Sequence, residues 1–262
     1  MAVPNDVTSP LRSCLFDLDG VITRTAVLHE VAWKEMFDTF LAGHGQPPFT
    51  HEDYERHVDG LPRLDGVRAL LAARGLHVPE GGDGDPPDAQ TVHGLGRRKN
   101  ELVLARIAAG GVEVYPGSVR FLHAVREAGL RTAVVSSSAN AADVVAAVGL
   151  AALFDARVDG VTAAERHLPG KPAPDAFLAG AAALDTEPAQ AAVFEDALAG
   201  VEAGRAGGFG LVVGVDRSEG DDPHGRELAA HGADVVVRDL ADLPLTALTS
   251  RRPVGAPGGR GR

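Results

Sequence analysis

Residues 14–23 read CLFDLDGVIT, an apolar run that breaks into two aspartates, Asp17 and Asp19, one leucine apart and directly ahead of Gly20. An apolar run without polar alternation is the pattern of a strand covered on both faces, as in parallel sheets. The carboxylates at its end have two readings: a polar turn that stops a strand, or acids set for chemistry. What stands at the ends of the other strands decides between them.

Comparable short runs rich in Val, Ala and Leu occur at 132–135, 191–194, 210–215 and 233–237, and helix-like segments at 118–128, 141–148 and 173–183 lie between them. Strand and helix in alternation predict a doubly wound parallel α/β sheet. The interval from Thr25 to Gly110 departs from that rhythm. Its residues 27–41 space Leu28, Val31, Ala32, Phe37 and Leu41 like one face of an amphipathic helix, and no strand pattern follows, so a helical insertion between the first and second strands is expected. Within it VPEGGDGDPPD, residues 78–88, reads as a solvent loop, and Tyr115-Pro116-Gly117 reads as the turn back into the core. These shifts divide the chain into an α/β core at 1–25 and 109–247, a helical cap at 26–108 and a disordered tail at 248–262, whose SRRPVGAPGGRGR has almost nothing to bury.

With 262 residues and 45% hydrophobic content the chain can bury a sizeable core. Its 25 Lys+Arg against 36 Asp+Glu give a formal charge of -11, a field that repels nucleic acid and anionic lipid surfaces. A small anionic ligand must therefore be met by a few local cations or a metal. The single cysteine, Cys14, sits in an apolar run and reads as a packed residue of a reducing compartment. No secretory leader pattern and no apolar run of about 20 residues is present, so a cytoplasmic protein without a membrane partner is expected.

Ligands of a parallel sheet bind at the carboxyl ends of its strands, and the polar clusters of this chain fall there. Asp17 and Asp19 follow the first strand, Ser136, Ser137 and Ser138 the second, and Glu195 and Asp196 a later one, while Lys171 in LPGKPAPD precedes a helix start. Each alone has an ordinary reading as turn, cap or surface charge. Together they compose a phosphoryl-transfer site: Asp17 as nucleophile, Asp19 as acid/base, and Ser136 and Ser137 on phosphoryl oxygens. Lys171 balances charge, and Asp17, Asp19, Glu195 and Asp196 form an oxygen-rich Mg²⁺ site.

The ordered set FDLDGV, the strand-ending serines, GKPAPD and FEDALAG resembles the haloacid dehalogenase superfamily of phosphotransferases over residues 13–216. Within it DGVIT, Thr25, His29 and AWK at 32–34 are similar to the β-phosphoglucomutase family with its helical cap. That resemblance implies a monomer that uses Mg²⁺ and a phosphorylated Asp17 to interconvert β-glucose 1-phosphate and glucose 6-phosphate through glucose 1,6-bisphosphate. It implies substrate contacts at Thr25, His29, Trp33, Gly60, Arg63, Lys99, Ser138 and Asn140, with Arg63 on the phosphate not being transferred and His29 and Lys99 aligning Asp19. Two positions depart from the family pattern: Arg24 stands where an Asp is usual, and Ala139 where mutases usually have Lys. A Mg²⁺-dependent sugar-phosphate phosphatase is the alternative reading. A catalytically idle phosphosugar-binding regulator is a third; it predicts the loss of a chemical group, yet Asp17, Asp19, Lys171 and Asp196 are all present.

Overall fold

The computed structural model describes residues 10–110, 112–218 and 223–249, so the tail expected at 248–262 lies outside the described residues except for its first two. Strands β1 (Ser13–Phe16), β2 (Arg131–Val135), β3 (Ala156–Val158), β4 (Ala191–Glu195), β5 (Leu211–Val215) and β6 (Val235–Val237) form one parallel sheet in the order β3-β2-β1-β4-β5-β6. This is the doubly wound α/β fold predicted from the apolar runs.

Every residue of β1 is shielded from solvent because both faces are covered. Cys14 and Phe16 point into one apolar cluster with Phe121, Leu122 and Val125 of α5 (Pro116–Glu127) and Val144 and Val145 of α6 (Ala141–Ala147). Leu15 points into the other, with Phe177 and Ala181 of α8 (Asp175–Ala183) and Val201 and Ala203 of α9 (Leu198–Ala206). Phe16 stacks on Phe194 of β4 with centroids 4.5 Å apart. Burial of each such side chain contributes about 1.5–3 kcal/mol, which anchors the strand that carries Asp17. Cys14 is a buried free thiol, and burial pushes its pKa up.

Between β1 and β2 stand α1 (Thr25–Ala42), α2 (His51–His57), α3 (Arg63–Ala73) and α4 (Val92–Gly110), with their own core of Trp33, Met36, Phe37, Phe40, Phe49 and Leu70 among others. The buried stripe of α1 differs from the predicted one. Val31 is 44% exposed, and Trp33, Met36 and Phe40 face inward beside Ala32, Phe37 and Leu41, because the bulky aromatics set the helix phase.

Three further elements depart from the sequence reading. Strand β3 has no counterpart in it, since three residues with Arg157 in the middle make no apolar run. Pro116 and Gly117, read as a turn, open α5, where the ring of a proline suits the first helical position. The helix read from residue 173 begins at Asp175. The remaining helices are α7 (Gly160–Glu165), α10 (His224–Ala230) and α11 (Thr246–Thr249).

The two passages between sheet and helical unit run side by side: the Arg24 N–H donates to the Glu113 carbonyl at 2.9 Å and the Tyr115 N–H to that of Ile22 at 2.9 Å. Arg24 meets Glu113 at 3.6 Å and lies 4.8 Å from the Tyr115 ring centroid. The charge that departs from the family pattern is thus matched locally by a carboxylate and a π face.

Candidate active site

A cavity of about 760 Å³ lies between the carboxyl edge of the sheet and the helical unit. Its floor is built from β1 outward. The Asp17 N–H donates to the Phe194 carbonyl at 2.9 Å, which holds the residue in line with the strand, and only 6% of Asp17 is exposed. Lys171 reaches it from the segment ahead of α8: its Nζ donates to Asp17 Oδ1 at 2.6 Å and also to Glu195 Oε1. Burial alone would push the Lys171 ammonium down, but the carboxylates of Asp17 and Glu195 outweigh that and raise its pKa above the ordinary value. The amine is therefore a fixed positive charge beside Asp17.

Glu195 was expected among metal ligands, and in this structure both of its oxygens already have hydrogen-bond partners. It is fully buried, Oε1 accepts from Lys171, Oε2 accepts the Ala197 N–H at 2.8 Å, and a Cβ on Gly200 would stand 1.8 Å from Oε1. Packed on every side, it orients Lys171. Asp196 takes the position near Asp17 instead. A Cβ on Gly20, whose φ is +77°, would stand 1.6 Å from Asp196 Oδ2, so the absent side chain is what lets this carboxylate close on the Asp17–Asp19 loop.

Burial raises the Asp17 pKa well above the carboxylate range, Lys171 opposes it, and Glu195 and Asp19 add to it. Burial also raises Asp196, with Asp59, Glu195 and Asp17 adding. Among the described residues no three His, Cys, Asp or Glu side chains stand as a ready-made metal cluster. The pair Asp17 and Asp196, crowded together by Gly20, nevertheless suits a hard divalent cation: the donors are all oxygen, and a cation relieves the repulsion that raises both.

Asp19 sits two residues on and is held differently. Thr25 Oγ1 donates to its Oδ1, Ser136 Oγ donates to its Oδ2 at 3.3 Å, and His29 Nε2 lies 3.6 Å from Oδ1. Thr25, expected on the substrate, is 1% exposed and is bonded to Thr23 Oγ1 at 2.6 Å as well as to Asp19, so it positions Asp19 and does not line the cavity.

The other sequence-predicted residues line the cavity: His29, Trp33, Gly60, Arg63 and Lys99 from the helical side, and Ser136, Ser137, Ser138 and Asn140 from the sheet side. Lys99 Nζ bonds His29 Nδ1 at 2.7 Å and lies 4.7 Å from the Trp33 ring. Burial brings Lys99 down to about 7 and, with Lys99 beside it, His29 down to about 4. Arg63 presents a buried Nε with no hydrogen-bond partner, and Ala139 lines the wall without a charge.

Two contacts cross from sheet to helices. Ser137 Oγ donates to the Gly60 carbonyl at 2.7 Å, and Asn140 Nδ2 donates to Asn100 Oδ1 at 3.1 Å. The Ser137 hydroxyl, read as a phosphate contact, is thus directed at the α2–α3 turn. Asp59, Tyr54 and Asn100 also line the cavity and were not singled out from sequence. Asp59 carries a local signal, a carboxylate directly before a glycine with φ +71°, whereas Tyr54 and Asn100 have none.

The chain has similar counterparts among known proteins. A β-phosphoglucomutase of Mycobacterium tuberculosis strain CDC 1551 is 52% identical over 240 residues, 89% of this chain and 91% of that one. A β-phosphoglucomutase of Bacillus subtilis is 31% identical over 238 residues, 91% of this chain and 94% of that one. A crystal structure of a β-phosphoglucomutase from Clostridium difficile superposes with a TM-score of 0.68 at 24% identity, covering 89% of this chain and 93% of that one, a likeness of fold. A family profile described as haloacid dehalogenase-like hydrolase matches residues 11–208, which include Asp17, Asp19, Lys171 and Asp196. With strands β1 to β4, the strand-end carboxylates and Lys171 all within that match, the chain is an enzyme of the haloacid dehalogenase-like hydrolase family.

Proposed function

We propose that the chain is a β-phosphoglucomutase, moving a phosphoryl group between the two ends of glucose phosphate by way of Asp17. The observation that carries the choice is Arg63, a guanidinium on the cavity wall opposite the sheet with a buried, unpartnered Nε. A phosphatase needs one phosphate site, which Asp17, Lys171 and Ser136 supply. A second cationic group facing the same cavity suits a substrate with phosphates at both ends, and its planar fork matches phosphate oxygens. The M. tuberculosis and B. subtilis relatives named as β-phosphoglucomutases support the same reading.

In this mechanism Asp17, carrying a phosphoryl group, gives it to a sugar hydroxyl. Asp19 takes the hydroxyl proton, Lys171 holds charge beside Asp17, and Arg63 grips the far phosphate. The bisphosphate turns around, and Asp17 then takes the other phosphoryl group while Asp19 returns the proton to the departing sugar oxygen. Asp17 and Asp196, with the Asp19 backbone carbonyl, would hold Mg²⁺, which would supply positive charge for the phosphoryl oxygens. Thr25 and Ser136 fix the Asp19 carboxylate. The helical unit, seated through Ser137–Gly60 and Asn140–Asn100, excludes water that would hydrolyse the phosphorylated Asp17.

Ala139 supports a second reading. The cavity wall lacks a cation there, and a fructose-1-phosphate phosphatase of Escherichia coli is 32% identical over 200 residues, 76% of this chain. Phosphorus NMR of β-glucose 1-phosphate, Mg²⁺ and trace glucose 1,6-bisphosphate separates the two. The mutase yields glucose 6-phosphate with little inorganic phosphate; inorganic phosphate accumulating as fast as substrate disappears overturns the assignment. Arg63→Ala is expected to impair isomerisation far more than hydrolysis of a small aryl phosphate.

A further inference from the structure

The carboxylates of the sheet edge, Asp17, Asp19, Glu195 and Asp196, meet another that comes from the helical unit. Asp59 stands in the turn between α2 and α3 and lines the same cavity. Its place is fixed from both sides. The Tyr54 hydroxyl hydrogen-bonds its carboxylate, and the next residue, Gly60, accepts from Ser137 at 2.7 Å and packs so closely on the sheet side that a Cβ would stand 2.9 Å from the Ala197 Cβ. Among neighbouring charges Asp59 acts on Asp196 ahead of Glu195 and Asp17. The cationic groups facing it are Lys171 from the sheet edge, Lys99 from α4 and His224 of α10, whose Nδ1 also lies 3.4 Å from Glu55 of α2. Seating the helical unit therefore adds a negative charge to a site already crowded with them, and lifting the unit away removes it.

We propose that Asp59 couples seating of the helical unit to the divalent cation: the closed form surrounds the Asp17–Asp196 pair with one carboxylate more than an open form, so the cation favours closure. The inference rests on the reading of that pair as the place of the cation. A ligand shifts an equilibrium by its difference in affinity for the two states, and the effect is reciprocal. With no cation, the cost of burying Asp59, which burial pushes up to about 6, beside Asp196 and Asp17, which burial raises as well, opposes the Ser137–Gly60 and Asn140–Asn100 contacts. With the cation bound, the same charges hold the unit down. Asp59 is then a positioning residue that acts by charge, and it makes the water-excluding form form mainly in molecules loaded for reaction.

The test uses the full chain without sugar. Binding of Mg²⁺ is measured by calorimetry, and amide hydrogen exchange is followed at residues 58–62 and 197–201, the two sides of the turn contact. In the wild type Mg²⁺ is expected to slow exchange at both segments. In Asp59→Asn, which keeps the size of the side chain, both are expected to be protected without Mg²⁺, and Mg²⁺ affinity to fall by roughly 5- to 150-fold, the usual range of such coupling. Asp59→Ala is expected to lose the same Mg²⁺ response, which separates the charge from the shape. The inference is overturned if Asp59→Asn equals the wild type in both measurements. It is also overturned, with the cation site intact, if the wild type binds Mg²⁺ in a manner abolished by Asp196→Ala and exchange at the turn contact does not respond. A wild type that binds no Mg²⁺ removes the reading of the Asp17–Asp196 pair itself, and the coupling with it.

Discussion

Replacing Lys171 by Met keeps most of the side-chain volume and removes the charge that Asp17 and Glu195 share. Lys171 is 3% exposed, Asp17 6% and Glu195 fully buried, so water cannot take over the role of the ammonium. Removing one partner of a buried ion pair costs about 3–5 kcal/mol, because the other charge is stranded. The stranded carboxylate has one way out, uptake of a proton, and that sets a ceiling. Starting from an unfolded pKa near 4, protonation costs about 1.4 kcal/mol per pH unit, hence about 2 kcal/mol at pH 5.5 and about 5 kcal/mol at pH 8. The folded variant then holds a proton that its unfolded chain has released, so its stability falls as pH rises. The expected deficit against wild type is about 2 kcal/mol at pH 5.5 and 3–5 kcal/mol at pH 8. Urea unfolding followed by circular dichroism in excess chelator, at both pH values, measures it. A deficit below about 1 kcal/mol at pH 8, or one that does not change with pH, refutes the claim that Lys171 neutralises the pair.

Lys99, brought down by burial to about 7 from an unfolded value near 10.4, binds fewer protons folded than unfolded between those limits. Wild-type stability should therefore rise relative to Lys99→Met from pH 7 to 9.5, by at most about 1.4 kcal/mol per unit, in paired urea titrations. Thr25→Val removes the hydroxyl that orients Asp19 and should lower turnover on the order of tenfold to a hundredfold with KM little changed, while Thr25→Ser restores it; steady-state kinetics on glucose phosphate separates these. Gly20→Ala should displace Asp196 and abolish Mg²⁺ binding by calorimetry, because its Cβ would stand 1.6 Å from Oδ2. Gly129→Ala, at φ +81° with nothing within 4 Å, should cost only about 1–2 kcal/mol of local strain and leave Mg²⁺ binding intact.

The fold was legible where burial alone dictates residue choice. The apolar runs of β1, β2, β4, β5 and β6 are covered on both faces and admit little else, and the polar residues at their ends stand out against them. Strand β3 escaped because its three residues carry Arg157 in the middle, exposed and paired with Asp159 at 2.7 Å, whereas β6 at the opposite edge is three valines. Within the site, sequence order placed Asp17, Asp19, Lys171 and Asp196 together but could not separate what touches a ligand from what holds another residue. Thr25 and Glu195 show the limit: the hydrogen bonds that tie them to Asp19, six residues back, and to Lys171, 24 residues back, are not displayed by any sequence pattern. Asp59 was missed because its partners, Tyr54 apart, come from across the molecule, and its one local mark, the glycine that follows it, is shared by acids in surface turns.

The central place of β1 bears on how the chain is made. Its Phe16 has neighbours on both sides, Val134 and Phe194, and neither exists when the first strand leaves the ribosome. Phe194 follows about 180 residues later, which at 5–20 residues per second is on the order of 10–40 s of synthesis. During that time the helical segment of α1 to α4, with a core drawn from its own residues, can collapse by itself, while Ser13–Phe16 waits with both edges and both faces uncovered. The strand that carries Asp17 therefore stays uncovered until β4 is made, and Asp17 has no place to act until most of the polypeptide has been synthesised.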